Sequence, residues 1–436
     1  MDWKNNKDTI ISNVVQQVCS IVIFLTIPNI LHIDGYAKVV FVSTLLSFMT
    51  FADLGLSFVY SRKMPAIYVS SNMQEAKRWN ETVFTFRIAM AFLFGFVIGL
   101  IYYVKYQEPL NTVLLFMMPV MTVIPSFFIA QHTALSNFAT YRRINSFQAV
   151  ARLVTIGGVI FLGIEGWFVS QLLASLLAVV IVLKAGGLPT KISIDSRLLK
   201  EHFIEGVLLG LITTLWVQLL GSGKVFASFM YADAQISQYG LMNTGYQIIA
   251  ALIVAAFIPQ TVKVYGMIET NLQAALEYVF RTILYAIPIV VGLTIVSREI
   301  TPYVLMYFFP KYQVDPLILD SLIFSLPFYP IIVTLGAILV AKKKSPAYLL
   351  LIAISLVLNW MLIMLLNPDY GFRSAAIAQI ITLLLYSIFL VALTFYYFNE
   401  EVKSKSWKFI KIYGSLALFI FSYFFVRYEL ISIWLI

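Results

Sequence analysis

Residues 82–104 read TVFTFRIAMAFLFGFVIGLIYYV, an apolar run broken by a single charge, Arg87. A helix needs about 20 apolar residues to cross the hydrocarbon core of a bilayer, and this run is long enough. Similar runs, bounded by charged or turn residues, fall at about 10–32, 37–58, 111–134, 145–163 and 165–186. After a polar, amphipathic stretch from Pro189 to His202 come 204–231, 235–258, 280–298, 317–340, 346–366 and 373–398. A last run, 408–427, follows the charged segment Asn399 to Lys408. The pattern predicts an all-α polytopic membrane protein of two six-helix lobes, residues 1–200 and 201–398. Residues 399–436 are then a cytoplasmic linker and an additional C-terminal hydrophobic helix.

Composition agrees. Of 436 residues, 61% are hydrophobic and 12% charged, with mean hydropathy +0.88. A soluble domain is about half apolar and about a quarter charged, so a soluble enzyme is excluded. One cysteine, Cys19, rules out a disulfide framework or a cysteine-rich metal site. Three scattered histidines, His32, His132 and His202, argue against zinc or haem. No metal and no cofactor is expected. The polar segment Met1 to Asp8 lacks the features of a signal peptide, so the first helix is expected to be retained.

The net charge of +9 does not point to nucleic acid, because the basic residues sit in short loops between apolar runs. With the N-terminus in the cytoplasm, the inner segments hold 21 of the 30 Lys and Arg and the outer segments six. The other three, Arg87, Arg152 and Lys224, lie inside helices. Such asymmetry is the positive-inside pattern, and it predicts a cytoplasmic N-terminus. No loop is long enough for a nucleotide-binding domain, and neither a Walker-type glycine loop nor an aspartate-rich cytoplasmic motif occurs. The chain is expected to be no enzyme: it moves something, or it scaffolds something.

An internal repeat bears on the architecture. Ser71-Asn72-Met73-Gln74-Glu75-Ala76, before the third helix, recurs as Thr270-Asn271-Leu272-Gln273-Ala274-Ala275, before the ninth. Each copy introduces a helix with an early Phe-Arg pair, Phe86-Arg87 and Phe280-Arg281. Equal orientation after six helices implies parallel lobes about an axis along the membrane normal.

Several short motifs carry a family resemblance. The second run holds Phe51-Ala52-Asp53-Leu54-Gly55-Leu56, followed by Tyr60-Ser61-Arg62. Further on come Phe309-Pro310-Lys311-Tyr312, Leu335-Gly336 to Ala341-Lys342-Lys343-Lys344, Asn359, Tyr370-Gly371 and Ala375-Ala376-Ile377-Ala378. In order and spacing, over most of residues 10–398, these resemble the bacterial polysaccharide flippases. That group comprises the Wzx-type O-antigen translocases of the multidrug/oligosaccharidyl-lipid/polysaccharide (MOP) exporter superfamily. The chain departs from the pattern at Lys224, where the family often has an acidic residue nearby, at Gln238-Tyr239-Gly240, and at Ser374, where the family has glycine. The resemblance implies a twelve-helix core with a central cavity in the bacterial inner membrane. The cavity would pass the head of an undecaprenyl-diphosphate-linked oligosaccharide between leaflets by alternating access. Membrane lipids, and the polysaccharide polymerase of the same pathway, are the implied partners, with no nucleic acid.

Ionisable groups inside helices are costly and usually face the bundle interior or water, and a diphosphate calls for Arg or Lys. Lys224, beside the small residues Gly221, Ser222 and Gly223, either lines the cavity or lies in an outer loop if the helix ends early. Arg152 shares a face with Gln148 and Thr155; it either points inward or snorkels to the inner headgroups. Arg87 in the third helix and Asp53 in the second are at matching depths, so they either form a structural ion pair or touch substrate. Asp53, ahead of Gly55, alternatively satisfies backbone groups at a local break; both are structural or gating candidates. No catalytic residue is expected. Tyr102, Tyr103, Trp79, Trp167 and Trp407, near helix ends, read as the interfacial aromatic belt. The rival reading is a multidrug or cation exporter of the same superfamily, which would favour acidic groups where this chain has three cations and one clear carboxylate. A polymerase or ligase would need a large outer loop, and none is present.

Overall fold

The computed structural model describes residues 3–135, 137–185, 191–402 and 414, and among them there is no strand. Fourteen α-helices follow one another. The first eight are α1 (Trp3–Ile30), α2 (Ile33–Ser47), α3 (Leu56–Val69), α4 (Met73–Tyr106), α5 (Pro109–Ala134), α6 (Phe138–Ala151), α7 (Val154–Ala185) and α8 (Ser196–Met230). Then come α9 (Asp233–Thr270), α10 (Leu272–Phe308), α11 (Pro316–Ile323), α12 (Tyr329–Ala341), α13 (Ser345–Tyr370) and α14 (Ser374–Val402). Nine stretches among the described residues are long and apolar enough to cross a membrane. Two of them, of 47 and 54 residues, contain turns. At 1.5 Å per residue each is roughly twice the hydrocarbon thickness, so each is a pair of crossings.

Helix starts follow local chemistry. Asn72 caps α4 by accepting from the Glu75 amide at 3.2 Å, and Asn271 caps α10 by accepting from the Ala274 amide at 2.9 Å. The repeated sequence therefore marks two helix starts of one kind. The Phe-Arg pairs do not share that equivalence, because Arg87 stands further from its cap than Arg281 does. Arg87 is nearly buried, whereas Arg281 is exposed, 5.6 Å over the Tyr285 ring.

The chain forms two compact units, residues 1–241 and 242–436. In the first, α4 packs along α5, α1 along α6, and α8 against both α2 and α3. The packing thus keeps α8 with the helices before it, while the 200/201 boundary expected from six-plus-six order concerns the repeat. In the second unit α13 and α14 form a hairpin, and the stretch Pro316–Ala341 is 83% buried over its most apolar window, far above the other spans. Of the expected linker and final apolar run, residues 403–413 and 415–436 lie outside the described residues.

Three expected helices are interrupted. The 37–58 run gives way after Ser47 to a 3₁₀ turn over Phe48–Phe51 and a turn to Gly55, then resumes as α3. The 145–163 run breaks at Arg152-Leu153 between α6 and α7, and Gly163, at φ 61° and ψ −132°, turns the chain inside α7. The 317–340 run breaks between α11 and α12, where Leu326–Phe328 form a 3₁₀ turn beside Pro327 and Pro330. In contrast, α8 begins earlier than expected, at Ser196, because Asp195 accepts from the Arg197 and Leu198 amides at 3.0 and 3.1 Å. The aromatic belt is only partly realised. Tyr103 is exposed, but Trp79, Trp167 and Tyr102 are buried within the first unit.

Candidate substrate-binding site

The interruption between α2 and α3 sets the geometry. Leu54 and Gly55 adopt φ of 49° and 71°, a region that glycine enters freely and leucine does not. Asp53 holds the turn: its carboxylate accepts from the Gly55 amide at 3.0 Å and from the Ser57 hydroxyl. The same carboxylate lies 3.3 Å from Arg87 Nε, and both side chains are nearly buried. Arg87 also donates through Nη2 to Ser126 Oγ at 2.9 Å. The two residues expected at matching depths therefore meet, and Asp53 also serves the break. Because α4 starts at Met73, Arg87 sits roughly 20 Å from its first residue.

Gly55 lies against α8. A Cβ there would collide with the backbone of Gly206 and Gly210, and a Cβ on Gly210 would come within 2.7 Å of the Gly55 nitrogen. Backbone touches backbone at this crossing, so each glycine is required by space.

Lys224 lies within α8, which continues to Met230, so the outer-loop alternative is excluded. Its ammonium donates to Ser43 Oγ of α2 at 2.6 Å. It is one member of a polar seam that the sequence reading missed. Thr50 meets Thr214 at 3.1 Å, Gln218 donates to Ser47 at 3.1 Å, and Thr44 meets Ser228 at 3.1 Å. The signal was present as Ser43, Ser47 and Thr50 at helical spacing, but hydroxyls in a helix can also bond their own backbone, as Thr44 does to Val40. Gln218 Oε1 is buried without a hydrogen bond.

Arg152 stands at the α6–α7 break. Its amide donates to the Gln148 carbonyl at 3.2 Å and its carbonyl accepts from the Thr155 amide at 3.0 Å. Among the described residues no carboxylate lies within ion-pair distance of Lys224 or Arg152, and no side-chain bond joins Arg152 to Asp53, Arg87 or Lys224. The predicted set thus comprises a neutralised pair, a glycine crossing and two separate cations.

At the α4–α5 turn, Glu108 accepts from Lys38, from Tyr102 at 2.6 Å and from Asn111 at 2.8 Å. Burial pushes this carboxyl up, but the three hydrogen bonds outweigh it and hold it below the ordinary value. Lys105 donates to the Ser228 carbonyl at 2.6 Å and lies 4.4 Å from the Phe41 ring centre. These contacts tie α2, α4, α5 and α8 together at one end of the first unit.

No family model matches the chain. No curated protein matches it in sequence. Solved structures do match over nearly the whole length. The lipid II flippase MurJ, in an inward closed conformation, aligns with TM-score 0.62 at 17% identity, covering 98% of this chain and 93% of that one. The Vibrio cholerae MATE transporter VcmN aligns with TM-score 0.62 at 12% identity, covering 91% and 96%. An inward-facing multidrug resistance MATE family transporter of the MOP superfamily gives 0.60 at 14% identity, covering 89% and 99%. Identities this low speak to architecture alone: the chain has the fold of MOP-superfamily transporters.

Proposed function

We propose that this chain is a flippase that carries undecaprenyl-diphosphate-linked oligosaccharide repeat units, of O-antigen or a similar surface polysaccharide, across the bacterial inner membrane. The observation that carries the reading is the charge balance inside the first unit. Lys224 and Arg152 have no carboxylate partner among the described residues, while the carboxylate of Asp53 is occupied by Arg87, Ser57 and the Gly55 amide. A helix-embedded cation without a counter-ion is costly, and a diphosphate is the ligand that offsets the cost. A multidrug or cation exporter would instead need a free acid, and Asp53 is not free. The motif resemblance points the same way, and the architecture is shared with a lipid II flippase and with MATE transporters alike.

In this reading Arg152 and Lys224 attract the diphosphate or acidic sugars, Arg87 assists, and Asp53 with Gly55 holds the gate-side turn. The two repeats, 1–200 and 201–398, alternate around a central cavity while the lipid tail stays in the bilayer. The N-terminus is cytoplasmic, and the polymerase of the pathway receives the product on the far side. No covalent step is involved.

The test is genetic complementation with lipid extraction. Deleting the gene should make undecaprenyl-linked repeat units accumulate while surface polysaccharide disappears. Wild type should restore export; Arg152→Ala or Lys224→Ala, present at normal levels, should restore less than about a tenth of it, as expected when a charge-assisted contact is lost. Normal surface polysaccharide with no trapped intermediate would refute the reading and favour the exporter.

A further inference from the structure

The first unit contains a cavity of about 510 Å³ whose lining includes neither Lys224 nor Arg152. It is walled by the end of α3, with Lys63 and Ile67, by the first turns of α4, and by the first turns of α8, with Arg197 and Leu198. Its floor includes Trp79, which is buried, and His202, whose ring lies 5.1 Å from the indole. The volume suits a phosphate-bearing head group.

Two of its cations have no carboxylate partner among the described residues. Lys63 and Arg197 are exposed and make no ion pair among the described residues. Arg78 adds a third cation, fixed by Asp195, which accepts from Nε at 3.0 Å. Two carboxylates also line the cavity. Glu75 is engaged by the Asn72 amide at 2.8 Å, and Glu201 lies 3.8 Å from His202. The N-terminal turns of α4 and α8 form two of its walls, and both are capped, by Asn72 and Asp195.

The surroundings favour a lipid over a soluble anion. Ile192 is 89% exposed and Ile204 74%, and Met73, Ile194 and Phe203 are exposed too. Met73, Phe203 and Ile204 lie on the α4 and α8 stretches that wall the cavity, and Ile192 and Ile194 lie just before α8. Acyl chains could lie on them while the head group enters. The cavity lies on the face that carries Arg62, Lys63, Lys77 and Arg78, which is the cytoplasmic face in the proposed orientation.

We propose that this cavity is a docking site for the head group of an anionic phospholipid of the inner leaflet, of the phosphatidylglycerol type. Lys63 and Arg197 would hold its phosphate and Ile192 and Ile204 its chains. The site is separate from Lys224 and Arg152, so it binds lipid whether or not the chain flips an oligosaccharide.

The experiment uses the full-length protein in detergent, titrated with phosphatidylglycerol or phosphatidylcholine, with bound lipid counted by native mass spectrometry. Phosphatidylglycerol should be retained about tenfold more strongly, as a few surface cations predict. Removing two cations with K63A/R197A should weaken it roughly thirtyfold, at about fivefold per cation. Lys200→Ala, the loss of a single charge at a residue that does not line the cavity, should change binding less than about threefold against about fivefold for Lys63→Ala alone, and Arg197→Lys should keep it. Equal retention of the two lipids, or unchanged binding in K63A/R197A, would overturn the proposal. So would binding of inorganic pyrophosphate with the same Lys63 and Arg197 dependence while phosphatidylglycerol is not retained, since the site would then serve a soluble anion.

Discussion

Two broken helices, one in each unit, are held by different chemistry. The break between α2 and α3 in the first unit rests on a buried carboxylate, with Asp53 facing Arg87 at 3.3 Å and α8 glycines pressed against Gly55. The break between α11 and α12 in the second unit rests on neutral groups. The Tyr246 hydroxyl meets Ser325 Oγ at 2.8 Å and the Tyr329 hydroxyl at 2.7 Å, all buried. A buried charge depends strongly on its partner, whereas a hydroxyl that loses one partner loses about 1 kcal/mol. The first break is therefore conditional on the position of α4, whereas at the second the groups that meet are hydroxyls, and the ion pair of the buried Asp320 with Arg298, at 3.5 Å, lies a turn earlier in α11.

The largest effect should come from Asp53→Ala, which strands the Arg87 guanidinium in the bilayer interior. Thermal unfolding in detergent should report a loss of about 3–5 kcal/mol, the usual result of removing one partner of a buried pair. The double variant D53A/R87M should recover most of it. Tyr246→Phe should cost roughly 1–2 kcal/mol; a cost equal to that of Asp53→Ala would erase the contrast between the breaks. Gly210→Ala should fall between them at about 1–3 kcal/mol from overpacking, and a neutral result would mean the crossing can open without strain.

The smallest effect sharpens the comparison at the membrane surface. The Arg78 guanidinium holds the Asp195 carboxyl below the usual carboxylate range, helped by the α8 amides. A lowered folded value means that this carboxylate stabilises the fold above its unfolded value of about 3.9 and stops doing so as pH falls through the folded value. Melting curves of wild type and Asp195→Asn should differ modestly at pH 7 and converge as pH falls through the lowered folded value. A constant gap across that range would mean the cap, not the charge, is what matters.

The sequence carried the class of fold openly, because long apolar runs and biased loops leave few alternatives. The breaks were harder to read. A four-residue interruption such as Phe48–Phe51 hardly changes a hydropathy average over a whole span, and Arg152-Leu153 contains neither glycine nor proline. The local signs were present in Asp53-Leu54-Gly55 and in Pro327 and Pro330. Much of the motif set turns out to serve packing. A Cβ on Gly336 would run into the Tyr348 ring, Gly371 takes φ of 54°, Ala375, Ala376 and Ala378 are fully buried, and Asn359 donates to Thr382 at 3.2 Å. Trp79 and Trp167 were misread because depth along a run does not tell a lipid-facing side chain from a protein-facing one. The pairing of Asp53 with Arg87 was legible because both charges had to find a partner.

The glycine crossing has a mechanical consequence. Where Gly55 meets Gly206 and Gly210, no side chains intervene to cushion relative movement, so the contact acts as a fulcrum. The helix segment on one side, α2, is 15 residues long, a lever arm of roughly 22 Å at 1.5 Å per residue. A tilt of about 10° at the near end of α2 would sweep its far end through roughly 4 Å on that length, while Ser43, four residues from the near end, would move by only about 1 Å.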